Sequence, residues 1–121
     1  MNDDYRHRRF QVWEYQVSHR QLLIRSPKAP SVLTNVDLIF LDVRFMQLPS
    51  GLDGIQLKNA TSQEMAAIAH LIGEVSIDEV FVLESAARHF VVAGHLSVNE
   101  NDWDIFESPF KFRSTYRPSS G

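Results

Sequence analysis

The chain of 121 residues contains no cysteine. Disulfides, thiolate zinc sites, cysteine-held iron–sulfur clusters and cysteine nucleophiles are excluded on that ground alone. Long apolar runs are also missing. Runs such as residues 38–41 and 90–93 are far short of the roughly 20 residues a membrane-spanning helix needs. The first nine residues are charged and lead into no apolar segment of the secretory kind. The expected location is the cytoplasm, with no membrane association. Glycine is scarce, at five residues, and neither G-x-G-x-x-G nor a Walker loop occurs.

Motifs for metal and catalytic chemistry are equally thin. His7, His19, His70, His89 and His95 form no H-x-H, H-x₃-H or HExxH pattern. Strand parity puts His89 and His95 on one face, but about 20 Å apart, too far to share a metal. Asn99, Glu100, Asn101, Asp102 and Asp104 are rich in oxygen ligands. A calcium loop counted from Asn99 would need Gly at 104 and Glu at 110, where Asp104 and Phe110 stand. Ser108 and Lys111 match S-x-x-K by letter only, since Pro109 opposes a helical turn there and no S-D-N or K-T-G accompanies them. No G-x-S-x-G elbow is present. The sequence therefore predicts no cofactor and no catalytic set.

What remains is the material of one packed domain over residues 1–121. Apolar residues make up 44% and charged residues 22%, too apolar for a disordered chain. Residues 10–17 (FQVWEYQV) and 22–24 read as a hairpin through a loop of about four residues. Pro27 and Pro30 mark a loop. Residues 35–48 form a long strand whose alternation slips near Asp42, as a bulge would make it slip. Gly51 and Gly54 read as a turn before a short strand at 54–57.

The clearest signal is helical. Thr61, Ser62, Gln63 and Glu64 spell a capping box, in which the Thr61 hydroxyl and the Glu64 carboxylate each satisfy the other's amide. Met65, Ile68, Ala69 and Ile72 follow at the spacing of one helical face, and Gly73 supplies a stop. Residues 79–83, 89–98 and 103–106 then read as an antiparallel meander, with a polar turn at 99–102. The predicted class is α+β: a mainly antiparallel, strongly curved or barrel-like sheet of six to seven strands, with one helix at about 62–72, in the order β-β-β-β-α-β-β-β. One helix cannot cover both faces of such a sheet, so the sheet must curl on itself. Residues 1–9 and 114–121 are expected to be flexible ends.

Charge is unevenly spread. The net charge is −3, yet residues 74–107 set Glu74, Asp78, Glu79, Glu84, Glu100, Asp102, Asp104 and Glu107 against Arg88 alone. Arg6, Arg8 and Arg9 make a small basic cluster, but the pI of about 5.9 argues against a nucleic-acid binder. The leading functional expectation is a non-catalytic protein-binding module. It presents an acidic hairpin over 99–107 to a basic protein, with Trp103 as anchor and Glu100, Asp102, Asp104 and Glu107 as charge partners. Such a small acidic domain resembles the proteins that neutralise bacterial toxins, in size, charge and fold alone. A second expectation is a small-molecule site or minor enzyme in the mouth of the curved sheet, lined by Glu14, Asp42, His89 and His95. A third is self-association into a homo-oligomer through a strand edge.

Overall fold

The computed structural model describes residues 4–104. Six strands follow one another as β1 (Asp4–Gln16), β2 (Gln21–Ser26), β3 (Asn35–Gln47), β4 (Gly51–Asn59), β5 (Val80–Glu84) and β6 (Arg88–Asn101). The helix α1 (Ser62–Ile72) and a 3₁₀ turn (Ile77–Glu79) lie between β4 and β5. The strands close a barrel in the order β1-β2-β3-β6-β5-β4, every pair antiparallel. The expected α+β class, with a barrel-like antiparallel sheet and one helix, is what the chain forms.

Alternation explains the closure. Leu22, Ile24, Val36, Leu38, Phe40, Leu52, Ile55, Leu83 and Val91 point into the barrel and are almost wholly buried. Phe10 stacks edge-on against Tyr5, and Phe40 against Phe81. A barrel of this small strand number is filled by such side chains. Outside it, α1 lays Met65, Ile68 and Ile72 on Val80, Phe90 and Val92. Both halves of the Thr61–Glu64 capping box form, at 2.9 and 3.1 Å. At the far end the Gly73 amide donates to the Ala69 carbonyl with φ +92°. The predicted helix is therefore present, and of its stripe Ile68 is buried with Met65 and Ile72 packed partly buried beside it, while Ala69 stands outside that cluster.

Five details depart from the sequence reading. Residues 4–9 are strand, not a flexible arm: Asp4, Tyr5 and Arg9 pair with Gln56, Ile55 and Asp53. A register shift between Tyr5 and Arg9 hides the alternation that would have announced this. β4 begins at Gly51, so the tight connection falls at residues 48–50. Residues 99–101 are not a turn but the end of β6, paired with Asp37, Val36 and Asn35. The strand expected at 103–106 does not start by Asp104, and Glu107 lies outside the described residues, as do 105, 106 and 114–121.

The last departure concerns parity. Asp42 takes a left-handed φ of +60° opposite Gly94, and a further register shift follows between Val43 and Phe45. The two strands change faces together there. Val91 and Ala93 point inward before the change, Leu96 and Val98 after it. His89 and His95 therefore do not share a face. Gly94 permits this because a Cβ there would already lie 3.3 Å from the Asp42 Cβ.

Arg88 fastens the helix to the sheet. Its Nε and Nη2 donate to the two Glu64 oxygens at 2.7 and 2.9 Å, and Nη1 donates to Glu84 at 2.8 Å. The Arg88 guanidinium, foremost by these hydrogen bonds, holds the Glu64 carboxyl down at about 2, from an ordinary 4.5. A depressed carboxyl stabilises the fold above its unfolded pKa and loses that contribution as pH falls through the folded value. We expect Glu64→Gln to lower stability by about 1 kcal/mol at pH 7, after allowance for partial exposure. The gap between variant and native protein should close between pH 4.5 and about 2. Urea midpoints across that range check this, and a gap independent of pH would contradict it.

Candidate functional site

The sequence-predicted binding residues lie at the end of β6, and the structure shows what holds them. Polar side chains of β2, β3 and β6 meet there in one network on the outer face of the barrel. Its centre is Arg25 on β2, directly across from Asp37 on β3, both fully buried. Leu22 and Ile24 point inward, so Arg25 points outward, and Asp37 does so likewise between Val36 and Leu38. The guanidinium grips the carboxylate by two bonds, Nε to Oδ1 at 2.7 Å and Nη2 to Oδ2 at 3.0 Å. This fork geometry is what a buried ion pair needs to offset its desolvation.

Asn101 extends the network to β6. Its Nδ2 donates to Asp37 Oδ2 at 3.1 Å, and its Oδ1 accepts from Asn35 at 2.9 Å and from the Trp103 amide at 3.2 Å. Asn35, itself fully buried, also donates to the Trp103 carbonyl at 2.9 Å. Both backbone polar groups of Trp103 are thus fixed by side chains from the barrel wall.

The loop between β2 and β3 adds a second brace. Residues 29–32 form a tight turn with Pro30 at its second position and paired bonds between Ala29 and Val32. The Lys28 amide donates to Asn35 Oδ1 at 2.8 Å, and Lys28 Nζ reaches the Asp102 carbonyl at 2.7 Å. Thr34 donates its hydroxyl proton to Glu100. On the other side, Arg8 donates to the Ser26 hydroxyl at 2.9 Å and to the Thr34 carbonyl at 2.7 Å.

The result is an acidic strand end presented outward. Glu100, Asp102 and Asp104 are exposed, while Trp103 between the latter two is half-buried. Leu33, on the loop that braces them, is 78% exposed. Of the predicted binding residues, the structure therefore gathers Glu100, Asp102, Trp103 and Asp104 on one short segment.

The predicted pocket residues are not gathered. Asp42 is exposed and ion-paired with Arg20. His95 is also exposed, with Ser97 Oγ 3.2 Å from its Nε2. Half-buried His89 lies across from Leu83 at the start of β6, and half-buried Glu14 lies across from Leu23 on β1. Among the described residues no group of three or more His, Asp or Glu converges as metal ligands would. No helix among them is long and apolar enough to cross a membrane.

Sequence reasoning missed Arg25, Asp37, Asn35 and Asn101. A signal was present: Arg25 and Asp37 each interrupt an otherwise apolar strand, on either side of the loop marked by Pro27 and Pro30. Two opposite charges facing each other across an antiparallel pair are each other's natural partners.

Comparison with protein-family models, with curated proteins and with solved structures gives no match to this chain.

Proposed function

We propose that this chain is a non-catalytic protein-binding module whose contact surface is the acidic end of β6, residues 100–104. The supporting observation is the fixing of Trp103 and Asp102 through their backbones by Asn35, Asn101 and Lys28, which leaves the carboxylates of Glu100, Asp102 and Asp104 outward. A segment held in place before binding loses less conformational entropy on binding. A half-buried indole flanked by carboxylates suits a basic protein partner: the ring anchors, and the charges steer. This keeps the analogy with small toxin-neutralising proteins at the level of charge and size.

Two other readings have less support. A pocket within the sheet would need Glu14, Asp42, His89 and His95 together, and they stand apart. Self-association through a strand edge draws less support from the described residues, whose six strands close a barrel.

Affinity capture at low salt tests the proposal. The native chain should retain a basic protein that Trp103→Ala loses. Retention of the same protein by Trp103→Ala and by the Asp102→Lys, Asp104→Lys double variant would overturn it.

A further inference from the structure

A second surface lies on β1. Arg9, Gln11, Val12 and Trp13, with Ser50 and Gly51 opposite, line an open groove of about 420 Å³. That volume is in the range of small-ligand sites. The groove owes its aromatic wall to a register shift in β1 between Val12 and Glu14, which displaces Trp13 from regular pairing. Irregularities of this kind re-aim a side chain. The floor is closed by the Val12 amide, which donates to the Ser50 carbonyl at 2.9 Å. Arg25 lies over the indole at 5.5 Å from the ring centroid. Arg25 is fully buried, so the exposed part of the half-buried indole is the part turned away from it.

The charges around the groove select what can enter. Arg9 is engaged by Asp53 in an exposed ion pair, so the wall is close to neutral. A phosphate or carboxylate would meet Asp53 beside Arg9, the cation that lines the groove. A cationic ligand would meet Arg9 on the groove wall and Arg25 over the indole. An uncharged ligand meets neither penalty. Gln11 and Ser50 offer donors and acceptors together, the combination that a hydroxyl group matches because it does both. The indole offers a flat apolar plate with a negative face, to which the slightly positive C–H face of a saturated ring is complementary. We infer that the Trp13 groove is a binding site for a neutral pyranose unit of a saccharide. This site is separate from the acidic end of β6 and does not depend on the protein-binding proposal.

Gly51 supplies the means to test it. A Cβ there would lie 3.3 Å from Arg9 Nη2 and point into the groove, and a β-branched residue suits a strand position. Gly51→Val therefore fills the groove while leaving Trp13, Gln11 and Ser50 in place. Trp103→Phe leaves Trp13 as the remaining tryptophan, so fluorescence in that background reports the groove alone. The probes are cellobiose, maltose and N,N′-diacetylchitobiose, with AMP and spermidine as charged comparisons. The expected result is a saturable change with at least one disaccharide, with Kd on the order of 1 mM, as befits a shallow site. Gly51→Val and Gln11→Ala should each weaken it at least tenfold, with unchanged thermal midpoints. No saturable response to any of the three disaccharides would overturn the inference. So would a response that survives in Gly51→Val, or a stronger one with AMP or spermidine.

Discussion

Replacing Asp37 by Ala should cost the fold about 3–5 kcal/mol, the usual result of removing one partner from a buried, hydrogen-bonded ion pair. That is a large fraction of the roughly 5–15 kcal/mol that holds a domain of this size. Arg25 is fully buried beside that carboxylate, so the loss is mainly the charge left behind. Two comparisons isolate this cause. Asp53→Ala breaks an ion pair whose partners are 63% and 80% exposed, and should change stability by less than about 0.5 kcal/mol. The double variant Arg25→Met, Asp37→Leu removes both charges and should recover most of the loss, because apolar replacement of a buried pair is often close to neutral. Urea denaturation of the three variants decides. If Asp37→Ala were as mild as Asp53→Ala, the network at the end of β2 and β3 would not be a structural centre.

Gly54 carries the second large effect. Its φ is +74°, and a Cβ built there falls 2.5 Å from the Arg6 carbonyl oxygen. That oxygen belongs to the backbone of β1 and cannot swing aside. Gly54→Ala should therefore destabilise by about 3 kcal/mol or more, combining the left-handed penalty with displacement of a paired strand. Gly73 is the control. Its φ of +92° is similar, but a Cβ there meets nothing within 4 Å. Gly73→Ala should cost less, about 1–2 kcal/mol, from the strain of its own backbone angles alone. Equal midpoints for the two variants would show that the close approach of β4 to β1 is not what fixes Gly54.

Local signals in the sequence translated well into structure. The capping box needed only Thr61 and Glu64 three residues apart, and the stripe of Met65, Ile68 and Ile72 needed only helical spacing. The curved sheet followed from counting strands against a single helix. What stayed hidden depended on contacts distant in sequence. Residues 99–102 have the composition of a turn, yet Asn99, Glu100 and Asn101 continue β6, because Asn35, Val36 and Asp37 across the pair give their backbone partners. Asn101 reads as a turn former and is a half-buried bridge between Asp37 and Trp103. The β1 start read as a solvated basic arm, because its register shift breaks the period-2 pattern. At Asp42 the slip in alternation was legible, but not that Gly94 on the facing strand turns with it. The candidate binding residues were legible as exposed acid and aromatic, while the side chains that position them were not.

Electrostatic steering by the end of β6 is the central functional claim, and its most direct measurement is a rate. With the captured basic partner in hand, association with the native chain should slow steeply as salt is raised, since exposed charges are screened beyond about 10 Å at 0.1 M. Asp102→Lys with Asp104→Lys should associate at least tenfold more slowly at low salt and lose most of that salt dependence. Equal rates and equal salt slopes for the native chain and the double variant would contradict the assignment of the contact surface to residues 100–104.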